Sequence, residues 1–447
     1  MLKLFLWLRY LRKKKIVFLS IAAVAVSVSL LIVVASLFSG FINAFEHSIV
    51  DAVGDIVIDP PAVISNYDKL IENLEKASSI KGATATIWGY GLLLVGKGNV
   101  RAVQVMGIEP ERRSRVMGFN EFLLSNKYPS ISEPNKITTS PDEMQGYVGI
   151  GILTSPDEKT DEYNIEEARK MIGEEVKLTT GAASTLSGQD SVADTKRKLV
   201  NFKIADIVET GFYDFDSEFI YLPIKQLSTI MYPDEKLPVA ENIQIKLAQG
   251  ADSEVALAII RGIWQEFVRE YYNSDPTLMY QTSIKTSLER QAPLIAAYKQ
   301  QMDVLLVIFG VVSFGVVILI FCIFSLIVRL KQKDIAVIKS CGTTSGSVAW
   351  IFVGFGACVG LVGSGLGMIL GYVITRNINT IEQWIRIIFG LKLWKSSVYL
   401  FTRIPDQVDW HLAIQIVLFA IIAAVLGALI PAFIAARTKP VEILRYE

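Results

Sequence analysis

The sequence predicts an α-helical membrane protein with four transmembrane helices and a large two-lobed α+β extracytoplasmic domain between spans one and two. Three observations predict it. Four stretches free of Asp, Glu, Lys, Arg and His cover residues 16–45, 304–328, 340–375 and 412–436, each longer than the roughly 20 residues that carry a helix across a bilayer core. Residues 46–300 have the mixed polar composition of a folded domain, although the chain as a whole is 51% hydrophobic. Basic residues gather beside the apolar runs, which sets the orientation.

Residues 1–15 form a basic amphipathic cytoplasmic segment carrying Lys3, Arg9, Arg12, Lys13, Lys14 and Lys15. Residues 16–45 are span one and its extension. The run is about twice the roughly 7–15 apolar residues of a signal peptide, so an uncleaved anchor is expected. Span two takes residues 301–328, a cytoplasmic helix 329–345, span three 346–375, an extracytoplasmic loop 376–411, span four 412–436 and a cytoplasmic tail 437–447. Arg329, Lys331, Lys333 and Lys339 stand against Asp334 alone in the first short connection, and Arg437, Lys439 and Arg445 mark the tail. Both termini are therefore expected in the cytoplasm. The outer loop, with Arg386, Lys392, Lys395 and Arg403 beside Glu382, Asp406 and Asp409, is a mild exception that the denser clusters outvote.

Within residues 46–300, β-branched or alternating stretches predict strands at Asp55–Ile58, Ala83–Trp88, Val100–Met106, Glu175–Thr180, Asn201–Val208, Phe219–Leu222 and Asn242–Leu247. Helices are expected over Tyr67–Ala77, capped by Ser65, and from Asp252 or Ser253 onward, where Ile260, Ile263, Trp264, Phe267 and Tyr271 make an apolar stripe suited to core packing. Residues 181–195, GAASTLSGQDSVADT, are small and turn-forming. They read as a long hairpin loop, with Lys196, Arg197 and Lys198 at its base. This loop is either a solvated connection or a docking element.

The chemistry-bearing motifs are few. No G-x-x-x-x-G-K-[ST] loop occurs, so this chain cannot energise ATP-driven work by itself. There is no H-E-x-x-H or G-x-S-x-G, and His47 and His411 are too few and too far apart to suggest a metal site. Catalytic, cofactor-binding and metal-binding residues are accordingly not expected. The apolar runs contain no Asp, Glu, Lys or Arg for an ion relay. Lys plus Arg equal Asp plus Glu at 44 each, and no nucleic-acid partner is expected. Cys322, Cys341 and Cys358 all lie in or beside the C-terminal runs, leaving the polar domain without disulfides. Gly356, Gly360, Gly363, Gly367 and Gly371 stripe span three with small residues, a pattern for close helix approach.

The charged island KQKDIAVIKS predicts about three turns of helix between two spans, closed by Cys341-Gly342 and followed by a cap for span three within Thr343–Ser345. Held at both ends, it is either a lipid-facing connector or a helix that docks a cytoplasmic partner.

Four stretches carry a resemblance to a known family. LKLFLWLRYLRKKK with SIAAVAVSVSLLIVVASLFSGFINAFE is similar to the opening of lipoprotein-releasing permeases of the LolC/LolE type. KQKDIAVIKSCGTTSGSVAWIF resembles their coupling helix and third span. ETGFYDFDSEFIYLPIKQL, residues 209–227, resembles a strand–turn–strand–helix segment of the lipoprotein branch, and PAFIAARTKPVEILRYE resembles the family's ending. These permeases belong to the mechanotransmission class of ABC transporter, with the MacB and FtsX branches. The resemblance implies a multi-pass protein of the bacterial inner membrane with a periplasmic domain. It extracts lipoproteins from the outer leaflet toward a periplasmic carrier, coupled to a separate ATPase dimer that binds the ATP and Mg. A second permease chain, identical or related, completes the assembly.

On that basis Lys333, Asp334, Ile335, Ala336, Val337, Ile338, Lys339, Cys341 and Gly342 are expected at the ATPase. Ser187, Gly188, Gln189, Asp190, Lys196, Arg197 and Lys198 form a candidate carrier-docking loop. An acyl-chain cavity between spans one and two is expected to use Val33, Leu37, Phe41, Val307, Val311 and Phe314. Two other readings follow from the same class: a MacB-like efflux permease subunit, and an FtsX-like regulator of a periplasmic cell-wall hydrolase.

Overall fold

The computed structural model describes residues 15–96, 98–129, 143–157, 162–182, 196–330, 332–390, 392, 394–395 and 403–437. They fall into a helical unit and an α+β unit.

Four helices in the helical unit are long and apolar enough to cross a membrane. Span one lies in Lys15–Val53, span two is Ala292–Leu330, span three Ser345–Arg376 and span four Trp410–Arg437. Helix is what an uninterrupted apolar run must form in hydrocarbon, where every backbone N–H and C=O has to be satisfied within the segment. The glycines of span three divide between two neighbours. A Cβ on Gly356 or Gly360 would stand 2.5 or 2.8 Å from the Cβ of Ala428 or Ala424 in span four. A Cβ on Gly363 or Gly367 would stand 2.8 or 2.7 Å from the Cβ of Val24 or Val28 in span one. Gly371 continues the seam against Ile32. Spans one, three and four thus meet almost backbone to backbone. Span two joins through Ile320, Ile323, Phe324 and Ile327, with the Phe324 and Phe355 rings 5.3 Å apart. At the start of span four, the Asp409 carboxylate accepts the His411 and Leu412 N–H groups, both at 3.1 Å, and the Ser39 hydroxyl of span one at 2.8 Å. One side chain thereby caps span four and ties it to span one.

The α+β unit carries eleven strands among the described residues: β1 (Ile56–Asp59), β2 (Ile64–Ser65), β3 (Ile80–Val95), β4 (Asn99–Ile108), β5 (Gln145–Gly149), β6 (Glu175–Ala182), β7 (Lys196–Val208), β8 (Phe219–Pro223), β9 (Val239–Ala240), β10 (Asn242–Leu247) and β11 (Ser283–Thr286). The seven expected strands all occur; β2, β5, β9 and β11 were not expected. The main sheet runs β11-β1-β10-β3-β4-β8-β5-β7-β6, and β6 also pairs back onto β3. The first half of β3 pairs with β10, Ala83 opposite Ile245. Its second half lies between β4 and β6, Gly91 opposite both Val103 and Thr180. An open sheet and a closed ring of strands therefore share one long strand. The expected strand stops at Trp88, whereas β3 continues through Gly89 and Gly91 to Val95. These glycines are packing sites, where an added Cβ would lie 2.7 Å from Met231 Cε and 2.6 Å from Leu178 Cδ1.

The helix expected over Tyr67–Ala77 spans Tyr67–Glu75 and buries Tyr67, Leu70, Ile71 and Leu74. Ser65 does not cap it. The residue before the helix is Asn66, at φ 56°, and Ser65 lies in β2 with its N–H donating to the Tyr272 hydroxyl at 2.6 Å. The second expected helix is Ser253–Tyr271, capped by Asp252; of its expected stripe Ile260, Trp264 and Phe267 are buried core, Ile263 is half-buried and Tyr271 is exposed. In the 209–227 segment, the Thr210 N–H, the Thr210 hydroxyl and the Gly211 N–H converge on the Asp216 carboxylate at 2.6, 2.8 and 2.9 Å. Burial pushes Asp216 up to about 7 against the pull of these donors.

Replacing Gly367 by Leu should disrupt the seam between spans one and three, at a cost of about 3 kcal/mol or more from overpacking. Leu at Gly365, whose Cβ would meet nothing within 4 Å, should be tolerated. Thermal unfolding of the full chain in detergent separates the two outcomes.

Candidate coupling helix, hairpin face and membrane groove

The short helix Gln332–Ser340 follows span two. The Gly342 backbone at φ 89° ends it, a conformation that favours glycine. Thr344 then opens span three, its hydroxyl accepting the Ser347 N–H at 3.3 Å. The helix is amphipathic in its packing. Ile335 and Ala336 are buried, Ile335 among Val328, Val348 and Ala435, the ends of spans two, three and four. Lys339 Nζ donates to the carbonyl of Ala436 at 2.8 Å, placing a cation on the last turn of span four, where the helix dipole is negative. Lys333, Val337, Cys341 and Gly342 face outward, Val337 with 52% of its surface open and the Cys341 thiol free. Asp334 and Ile338 belong to the same helix. One face thus grips three span ends and the other presents an apolar side chain, a lysine and a thiol.

The second expected site divides at the limit of the described residues. Ser187, Gly188, Gln189 and Asp190 lie outside them. The flanks form a hairpin, Ala182 opposite Lys196 and Gly181 opposite Arg197, and Arg197 and Lys198 are exposed. Beside them the ring of strands exposes apolar side chains that sequence reasoning missed. Tyr90 is 79% open, Leu199 66% and Leu92 47%, and Leu92 and Leu199 both sit opposite Thr179. A hollow of about 580 Å³ here is lined by Tyr90, Leu92, Gln104, Arg197 and Glu218 among others. The signal was the alternation in Trp88-Gly89-Tyr90-Gly91-Leu92, small side chains inward and large ones outward.

A groove of about 880 Å³ opens among spans one, two and four. Val24, Val28, Leu31, Phe314, Phe419 and Ala423 are among its lining residues. Of the six residues expected at an acyl cavity, Phe314 is the one that lines it. Val307 and Val311 share the helix stripe of Phe314 but do not line the groove and are 67% and 68% exposed, and Phe41 packs edge-on against Tyr298 at 5.2 Å. Val33 and Leu37 are half-buried in span one. Among the described residues no group of His, Cys, Asp and Glu is arranged to hold a metal ion.

The MacB-like periplasmic core domain family matches residues 17–263, more than half of the chain. The chain belongs to that family. The rest of this MacB-like chain follows suit: residues 306–440 match the FtsX-like permease C-terminal family, which takes in spans two to four and the coupling helix. A lipoprotein-releasing system transmembrane protein LolC from Neisseria meningitidis serogroup B is 25% identical over 464 residues, covering 100% of this chain and 99% of that protein. A LolE of Haemophilus influenzae is 23% identical over 433 residues, covering 95% of this chain and 93% of its own. The periplasmic region of MacB from Actinobacillus actinomycetemcomitans overlaps 55% of this chain at 13% identity and a TM-score of 0.30, too low to add to the assignment.

Ile335→Asp should loosen the coupling helix from the bundle, because a carboxylate would be forced among four apolar side chains. Val337→Asp, on the open face, should leave the fold intact. Protease cleavage between residues 329 and 345 of the full chain should rise at least about tenfold for the first variant and stay at the wild-type level for the second.

Proposed function

We propose that this chain is a permease subunit of an ABC transporter that releases lipoproteins from the outer leaflet of the bacterial inner membrane toward a periplasmic carrier. The observation that carries the reading is the end-to-end similarity to lipoprotein-releasing transmembrane proteins. It is joined to a short helix whose buried face packs on three spans while Val337 and Cys341 are exposed on the other. Basic residues beside the four spans support a cytoplasmic location for both termini and for this helix. The α+β unit then lies in the periplasm, its open sheet and closed ring forming the two lobes. A dimer of a separate ATPase, carrying ATP and Mg, docks on Lys333, Val337 and Cys341. A second permease chain, identical or related, completes the complex. The exposed strip of Tyr90, Leu92 and Leu199 beside Arg197 and Lys198 suits a carrier, since it offers apolar area with a cationic edge.

Energy enters as movement. No proton or metal chemistry is required of this chain. When the ATPases close, the coupling helix carries the displacement into the spans, and the periplasmic domain follows.

Depletion of the chain should leave mature lipoproteins in the inner membrane, seen by fractionation and immunoblotting; normal sorting would refute the reading. Orientation is tested separately. In spheroplasts, a membrane-impermeant maleimide added outside should leave Cys341 unlabelled, and a cysteine-directed crosslinker in inverted vesicles should join it to the ATPase. Labelling of Cys341 from outside alone would overturn the topology.

A further inference from the structure

We infer that the helix Ile378–Phe389, between spans three and four, lies in the bilayer surface on the side away from the coupling helix. Its apolar face sits among lipid tails and its basic flanks on anionic phospholipid headgroups. The inference needs only that the four spans cross a bilayer and does not depend on the lipoprotein reading.

The helix is out of place in water. Seven of its twelve residues are Ile, Trp or Phe, and none is buried. At about 100° per residue, Ile381, Trp384, Ile385 and Ile388 fall on one side and Asn379, Gln383 and Arg386 on the other. Ile381, Trp384 and Ile388 are exposed. Twelve residues are too few to cross a core that takes about 20. A helix this short owes its stability to a surface that covers its apolar face.

Its position says which surface. Span three carries no charge before Arg376, Asn377 ends it, and the helix begins at the next residue. The polar side is fastened there. Asn379 Oδ1 accepts the Ile404 N–H and its Nδ2 donates to the Ile404 carbonyl, both at 3.0 Å, and Arg376 pairs with Asp406 at 3.2 Å. Asp409, close behind, caps span four. The root of the helix is therefore clamped between the end of span three and the start of span four, with its apolar side turned away from the clamp. One turn before Arg376, Tyr372 stacks on Trp410, the first residue of span four, at 5.7 Å, and both rings are exposed. Tyr and Trp gather where hydrocarbon meets headgroup. An apolar side at that depth meets lipid.

Charge selects the lipid. Residues 376–403 carry Arg376, Arg386, Lys392, Lys395 and Arg403 against Glu382 alone. These are the residues that depart from the orientation pattern of the other connections. A surface helix with an apolar face, a tryptophan and flanking Lys and Arg binds anionic lipid, each basic residue adding to the attraction. A basic connection on this side is then no obstacle to the topology, because headgroups neutralise it.

The test uses the full chain in nanodiscs of phosphatidylethanolamine and phosphatidylglycerol. Cys322, Cys341 and Cys358 are replaced by Ser, and a nitroxide is carried on one of Ile381→Cys, Trp384→Cys, Ile388→Cys or Gln383→Cys. Collision with oxygen should exceed collision with a water-soluble nickel chelate at the first three sites, and the order should reverse at Gln383→Cys. A second measurement needs no variant. Amide exchange of wild-type peptides from 378–389 should be at least about fivefold slower with phosphatidylglycerol present than in nanodiscs of phosphatidylcholine alone. High salt should abolish that difference. Nickel preferred at all four sites, labels shielded from both reagents by a protein surface, or equal exchange in the two lipids would each overturn the inference. None of these results bears on whether depletion disturbs lipoprotein sorting.

Discussion

The close approach of span three to spans one and four is the contact on which the rest of the membrane unit depends. Lipid tails are as apolar as leucine, so helices in a bilayer gain little from burying apolar area against one another. They gain from contact density, and contact density requires small residues. The seam from Gly356 to Gly371 supplies it, with Ala424 and Ala428 answering from span four and the β-branched Val24, Val28 and Ile32 answering from span one. Three helices become one body. Span two has no such seam along its first turns, where Val304, Val307, Ile308, Val311 and Val312 are exposed.

The coupling helix follows from this division. Its residues Ile335 and Lys339 reach the ends of the fixed helices, Ile335 through apolar contact with Val348 and Ala435, and Lys339 through the carbonyl of Ala436. Ile335 also touches Val328 at the end of span two.

How far the sequence discloses all this depends on whether period or context decides each feature. Spans are readable because length and the absence of charge suffice. The strands Glu175–Ala182, Phe219–Pro223 and Asn242–Leu247 are readable because alternation or β-branching marks a half-buried surface. The face of a span is not readable. In a soluble helix the buried stripe differs in polarity from the exposed one, but in span two Phe314 on the groove and Val312 away from it are equally apolar. Hydropathy then carries no directional information, and only packing selects the face. The glycine spacing of span three is the exception, because size rather than polarity carries its signal. Gly89 and Gly91 mislead in the opposite sense: each serves close packing inside a strand, where glycine in a sequence reads as a stop. Short strands such as β5 and β11 owe their pairing to neighbours distant in sequence, and no local pattern announces them.

The α+β unit holds the two ends of its own chain together. Its chain enters and leaves at one point. Gly54, at φ 91°, turns the chain from the first helix into β1, and a Cβ there would lie 2.9 Å from the Ile245 carbonyl. The Ser287 hydroxyl, just past β11, donates to the Gly54 carbonyl at 2.6 Å, and the Ser287 N–H donates to the Asp55 carbonyl at 2.9 Å. Beyond this clasp, Ile56 to Asp59 of β1 pair with Thr286 to Ser283 of β11. The stems leading to spans one and two therefore begin from adjacent, hydrogen-bonded strands. Pulling them apart would open this antiparallel ladder from its Ile56–Thr286 end, one pair after another. β3 runs from the open sheet, where it pairs with β10, into the closed ring, where it presents the exposed Tyr90 and Leu92.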